Sequence, residues 1–88
     1  LNEFALKYPD SLSALEHWYR IMKTSRFANF TELRKIFPSA DQVTNKTVFN
    51  IGGNKYSLIA ALHYNHGRVY IRAILTHRDY DKGTWKNQ

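Results

Sequence analysis

The sequence predicts an α+β domain, with N-terminal helices packed on one face of a small antiparallel β-sheet, and three observations carry that expectation. Apolar residues recur at helical spacing as far as Phe37, the period changes to two beyond Asp41, and glycine-bearing turns divide the second half into strands. At 88 residues, 43% hydrophobic and 15% aromatic, residues 1–88 are expected to form a single domain, too short for a two-domain enzyme.

The elements follow in order. Leu1, Phe4, Ala5 and Tyr8 stand at i, i+3, i+4 and i+7, one face of a short helix that Pro9 must end. Asp10 or Ser11 then caps a second helix whose stripe is Leu12, Leu15, Tyr19 and Met22, with Trp18 beside it, and the two helices are expected to form a hairpin. Asn29 followed by Glu32 has capping-box spacing, so a third helix is expected from Phe30 to Phe37, ended by Pro38. Thr47 to Ile51 reads as a strand, Gly52-Gly53 as a tight turn needing positive φ, and Lys55 to Tyr64 as a longer strand. Asn65-His66-Gly67 closes a second hairpin into Arg68 to Leu75, giving at least three strands. Alternation puts Tyr56, Leu58, Ala60 and Leu62 on one face of the second strand, and Val69, Ile71, Ala73 and Leu75 on one face of the third. These cleaner apolar faces belong under the helices, and the opposite faces carry cations.

Composition excludes several classes. No cysteine means no disulfide and no thiolate metal site, so aromatic residues must hold the core. The longest apolar run, Leu58 to Leu62, is far below the roughly 20 residues of a membrane span, and the protein is expected to be soluble and cytoplasmic. No phosphate-cradling loop, dinucleotide fingerprint or nucleophile elbow is present, and no cofactor is expected. His63 and His66 make an H-x-x-H pair, but no local carboxylate or cysteine completes a ligand set, so no metal is expected; His17 reads as a surface residue of the second helix.

The net charge of +6 is unevenly spread. Residues 1–44 hold six basic and five acidic side chains, and residues 45–88 seven basic and two acidic, net charges of +1 and +5. A cationic half favours an anionic partner such as RNA or an acidic protein segment over mere solubilising charge. Thr76-His77-Arg78-Asp79-Tyr80-Asp81-Lys82-Gly83 then packs proton donors, acceptors and cations into one short run, unless it is only a polar turn leaving an edge strand. Cleavage of RNA by its own 2′-hydroxyl needs a base, an acid and cations around phosphorus. Lys55, Arg68, Arg72, His77, Arg78, Tyr80 and Lys82 contain all these groups, and Tyr56, Tyr70 and Tyr80 offer rings for splayed bases.

Val48-Phe49-Asn50-Ile51-Gly52-Gly53-Asn54-Lys55-Tyr56, Val69-Tyr70-Ile71-Arg72 and Thr76-His77-Arg78-Asp79-Tyr80-Asp81-Lys82, with Phe37-Pro38-Ser39-Ala40 upstream, resemble the HigB family of bacterial toxins in the RelE superfamily. The resemblance implies a RelE-like fold whose sheet grips RNA on the face away from the helices. It implies a type II toxin: an endoribonuclease cutting mRNA in the ribosomal A site, neutralised by a HigA-like helix-turn-helix antitoxin through which operator DNA is bound indirectly. Two departures matter. The family usually reads Lys-Tyr-Arg-Leu where this chain has Lys55-Tyr56-Ser57-Leu58, so a phosphate-facing arginine is replaced by Ser57 and an attenuated toxin is expected. Relatives also carry an apolar, basic lead-in, an extra strand, before the first helix; its lack here implies fewer strands and edges for the antitoxin to cover.

In this reading His77 transfers the proton, because an imidazole titrates near neutrality, with a strand-end structural histidine as the alternative. Tyr80 stacks or relays a proton, or packs in the core. Arg72 and Lys55 hold phosphate, unless Arg72 pairs with Asp79 or Asp81. Asp81 orients His77 or an arginine, and Lys46, Arg68, Arg78 and Lys82 steer the RNA backbone or remain solvated. The rival function is a non-catalytic RNA- or ribosome-binding module, and a further one is a pure protein-interaction domain.

Overall fold

A computed structural model describes residues 2–53, 55–64, 67–83 and 85. The helical layer comprises α1 (Asn2–Lys7), a 3₁₀ turn (Pro9–Ser11), α2 (Leu12–Thr24) and α3 (Phe30–Ile36). A four-stranded antiparallel meander follows, β1 (Asp41–Val43), β2 (Lys46–Ile51), β3 (Tyr56–His63) and β4 (Arg68–Thr76), in the spatial order β1-β2-β3-β4, and α4 (His77–Lys82) closes it. The α+β expectation holds, with one strand and one helix more than the periodicities revealed.

The helices cover one sheet face. Leu15, Trp18 and Leu33 meet Phe49, Ile51, Tyr56, Leu58 and Ala60 in a core held by edge-to-face rings, Trp18 on Phe49 at 5.4 Å and Phe37 on Phe49 at 5.1 Å. The buried line of α2 is Leu15, Trp18 and, partly, Met22, whereas Leu12 and Tyr19 are 45% and 52% exposed. The expected stripe was therefore rotated: the side of α2 that carries Trp18, the bulkiest ring, faces the sheet and turns Leu12 and Tyr19 to its flank. α1 leads through the 3₁₀ turn into α2 and reaches the sheet through Phe4. Phe4 and Tyr8 stack around Tyr56 at 5.2 and 5.5 Å.

Neither residue proposed to cap α2 does so. Ser11 donates its hydroxyl back to the Tyr8 carbonyl (2.7 Å), and Asp10 reaches across to Tyr56, whose phenol donates to its carboxylate at 2.6 Å. At α3 the capping geometry is present: Asn29 accepts from the Glu32 amide at 3.0 Å, and Glu32 accepts from the Ala28 amide at 2.8 Å.

The Tyr56 bond holds the Asp10 carboxyl below its usual range, with the Lys55 ammonium adding to the effect, and the Tyr56 phenol is raised to about 12 by the same bond. Asp10 therefore contributes stability that is present above its unfolded pKa and is lost as pH falls through the lower folded value. Tyr56 contributes stability present below about pH 10 and lost as pH rises through about 12. Thermal melts of Tyr56→Phe are expected to show a lower Tm at neutral pH and a gap from the parent that narrows in acid, where Asp10 is protonated. A gap independent of pH would assign the loss to packing.

The Gly52-Gly53 turn is longer than expected. Ile51 pairs with Tyr56, so Lys55, expected in the strand, belongs to the turn, and Gly52 and Gly53 adopt φ 64 and 62, the left-handed region the glycines were expected to supply. The Asn65-His66 turn lies outside the described residues. On β4 the alternation breaks: Ile59 pairs with Ala73 and Ala60 with Ile71, so Arg72 is the extra residue of a bulge. Val69 and Ile74 consequently pack under the helices, while Ala73 and Leu75, expected there, turn to the opposite face. That opposite face is not an open cationic saddle. Val48, Ile59 and Trp85 form a second small core on it, flanked by Val43, Ala73, Leu75 and Tyr80.

Candidate active site

The bulge and the helix after it build the site. Thr76 ends β4 in extended conformation and caps α4, its Oγ1 accepting from the Asp79 amide at 3.2 Å, and Gly83 terminates the helix at φ 74. Within this one-and-a-half-turn helix His77, Tyr80 and Asp81 stand at i, i+3 and i+4, so they share a side. Asp81 Oδ2 lies 3.6 Å from His77 Nε2. Tyr80 is fixed from behind: Trp85 stacks on it at 5.1 Å with 19° between planes and donates its indole N–H to the Tyr80 carbonyl at 2.9 Å.

These groups overhang a cleft of ≈ 370 Å³ lined by Ser39, Asp41, Val48, Asn50, Ser57, His77 and Tyr80. Asn50 and Ser57 are register partners on β2 and β3, so their side chains project to the same face and floor the cleft. Ser57 is 5% exposed. Burial raises the Tyr80 phenol above its ordinary value, with Asp41 and Asp81 acting in the same direction. The phenol accordingly stays protonated at neutral pH and is suited to donate a hydrogen bond.

Of the residues singled out by sequence, the cleft gathers Ser57, His77 and Tyr80, with Asp81 against His77. The other groups stand elsewhere. Lys55 sits in the β2–β3 turn with Nζ 3.6 Å from Asp10 Oδ2, drawn towards the helical layer. Arg72 is exposed at the bulge and Arg78 is exposed on α4. Lys82 Nζ lies 3.7 Å from Asp79 Oδ1. Lys46 is only 8% exposed at the start of β2, which leaves little of it for a ligand. Arg68 begins β4, eight residues and hence roughly 25 Å along the strand from Thr76, which precedes His77. It donates to the Tyr70 hydroxyl at 3.4 Å, an interaction that raises the guanidinium pKa further. His63 rests edge-on against Tyr70 at 5.2 Å, and its expected companion His66 lies outside the described residues.

Sequence reasoning missed Asn50, Ser39, Asp41 and Trp85. Asn50 was legible, since period two puts it on the face of Val48 and opposite Ser57; Trp85 had no periodic signal, only its large apolar ring. Thr76→Ala is expected to cost about 1 kcal/mol by removing the α4 cap, read by thermal denaturation, and to loosen His77 along with the helix. An unchanged melting curve would show that Trp85 alone holds α4.

Residues 11–83 match the HigB toxin family, described as the RelE-like toxic component of a toxin–antitoxin system. The chain belongs to the HigB toxin family. Among curated HigB relatives, the mRNA interferase HigB of Escherichia coli O6:H1 (strain CFT073) is 34% identical over 86 residues, covering 94% of this chain and 84% of that protein. The mRNA interferase toxin HigB of E. coli K12 and the mRNA interferase HigB of Shigella flexneri are each 31% identical over 84 residues, covering 92% of this chain and 81% of theirs. As a HigB-family toxin the chain has an antitoxin as its partner. No helix among the described residues is long and apolar enough to cross a membrane.

Proposed function

We propose that this chain is the toxin of a type II toxin–antitoxin pair and an endoribonuclease that cleaves mRNA in the A site of translating ribosomes. The observation that carries the reading is the convergence of His77, Tyr80 and Ser57, from α4 and β3, on one cleft in a HigB-family chain. His77 moves the proton between the 2′-hydroxyl and the leaving 5′-oxygen, and Asp81 orients the ring. The protonated Tyr80 donates to the phosphate or stacks on a base. Arg72, Arg78, Lys82 and Lys55 approach the backbone from the rim, Lys55 and Lys82 after exchanging their carboxylate partners for phosphate. No cofactor is required.

The activity is attenuated because Ser57, at the floor of the cleft, has no charge to set against the developing phosphorane. A HigA-like helix-turn-helix antitoxin binds the chain in the cytoplasm, covers the exposed β4 edge and carries the pair to operator DNA. The rival, a ribosome-binding module without catalysis, draws on the same absence of an arginine at position 57. Translating ribosomes incubated with the Ser57→Arg form, followed by mapping of new message ends, separate the two. New ends confined to the decoding site support the nuclease, and binding without any new end supports the module.

A further inference from the structure

An in-line displacement at phosphorus needs protons handled on two sides, because the attacking and leaving oxygens stand roughly opposite each other. A single imidazole serves one side at a time. His77 rises from the β4 side of the cleft, where α4 begins as β4 ends, and Asp81 Oδ2 lies 3.6 Å from its Nε2, a counter-charge for the protonated ring. His77 is thus furnished to give a proton. The group that takes one belongs across the cleft, and Asp41 stands there. It opens β1 at the other edge of the sheet and pairs with Val48, which puts it on the face of Val48 and Asn50. β1 and β4 are three strand spacings apart, roughly 14 Å at the backbone, with the Asn50–Ser57 pair as the floor between them.

Among the described residues that line the cleft, Asp41 is the one carboxylate, and none is lysine or arginine. Its Oδ1 accepts from the Gln42 amide at 3.0 Å, which steadies the group, and among the described residues it joins no ion pair. The carboxylate is near enough to Tyr80 to help keep that phenol protonated, so it looks onto the same space as His77 and Tyr80. A carboxylate there opposes the binding of a polyanion. As a proton acceptor it assists the reaction instead.

We propose that Asp41 is a further catalytic residue, the base that takes the 2′-hydroxyl proton, with His77 the acid across the cleft. The inference rests on the nuclease reading above and divides its proton transfer between two groups. The 2′-proton passes to Asp41 Oδ2 as O2′ bonds to phosphorus, the P–O5′ bond breaks, and the imidazolium proton goes to O5′, leaving a 2′,3′-cyclic phosphate and a 5′-hydroxyl. Asp41 and His77 are both exposed, so water returns each to its starting protonation state.

The Ser57→Arg form on translating ribosomes provides the test. Asp41→Asn keeps an oxygen for the Gln42 amide at an exposed position, so this variant is expected to melt with its parent. Single-turnover cleavage is expected to fall about a hundredfold. Affinity for ribosomes carrying a message with a 2′-deoxynucleotide at the cut site is expected to equal or exceed the parent's, since a negative charge has left the cleft. A message with sulfur in place of the 5′-oxygen at the cut site then separates base from acid, because a thiolate leaves without a proton. Sulfur is expected to restore most of the rate lost by His77→Ala and none of that lost by Asp41→Asn. Unchanged cleavage by Asp41→Asn overturns the assignment, as does its rescue by sulfur, which places Asp41 at the leaving oxygen. A rate loss matched by weaker binding of the deoxy message also overturns it and leaves Asp41 a structural residue of β1. A Ser57→Arg form that binds ribosomes and makes no new message ends defeats the nuclease reading itself, a failure visible before Asp41 is changed.

Discussion

Ser57→Arg raises the rate of message cleavage on translating ribosomes about a hundredfold. Ser57 pairs with Asn50 in the β2–β3 register and with Leu75 on β4, so its side chain leaves the sheet on the face of the cleft, where His77 and Tyr80 overhang it. A guanidinium grown from that position extends into open space rather than into packed atoms, which limits the cost of placing a charge at a position now 5% exposed. Asp41, on the cleft wall, offers it a counter-charge until phosphate arrives. Once RNA is bound, a fork of donors aimed at the nonbridging oxygens stabilises charge that exists only as phosphorus becomes five-coordinate, the condition for raising kcat rather than affinity alone. Ser57→Lys is expected to recover less, because a single ammonium cannot make the paired contact. The readouts are growth arrest on induction and cleavage in a purified translation system. An arginine form that folds, binds ribosomes and cuts no faster than its parent removes position 57 from the site.

In that arginine background, His77→Ala lowers cleavage by about 10² to 10⁴, the contribution expected of a positioned proton-transfer group. The imidazole is exposed, begins α4 and contacts Asp81 rather than the core, so the substitution leaves the two apolar clusters untouched and the melting temperature close to that of the parent. The loss is therefore read as chemistry: single-turnover cleavage falls while ribosome binding persists. Asp81→Asn is expected to have a smaller effect, since it acts through the orientation of the ring. Full cleavage by the His77→Ala form transfers the proton-handling role to another group, with Tyr80 the first to test.

The strong periodic segments were legible because burial on one side writes its own pattern. The spacing around Leu15 and Trp18, and the alternation from Tyr56 to Leu62, report which residues lost water, and they located α2 and β3. The Gly52-Gly53 turn was legible because two consecutive positive φ values leave few other residue choices. What escaped was short or irregular. Asp41–Val43 has three residues, two of them exposed, too few for alternation to register. The run from His77 to Lys82 is polar apart from Tyr80, so α4 has no apolar stripe, and its cap at Thr76 and stop at Gly83 were the available signals. The bulge at Arg72 could not be read at all, because an extra residue in one strand is defined only against its partner.

The sequence by itself determined the succession of a helical layer and then a sheet, the excess of positive charge in the second half and the residue types of the site, since each depends on local spacing or on composition. It also carried the family resemblance, through the run from Val48 to Tyr56 and that from Thr76 to Lys82. Only the tertiary structure decided which of those residues meet. The bulge reverses the facing of β4, and Trp85, packed with Val48 and Ile59, stacks on Tyr80, so that His77 and Tyr80 overhang Ser57. Asp10 takes Lys55 towards the helices, and the length of β4 sets Arg68 far from His77. Convergence depends on contacts between residues far apart in the chain, and the energies that select such contacts are properties of packing rather than of any local run of residues.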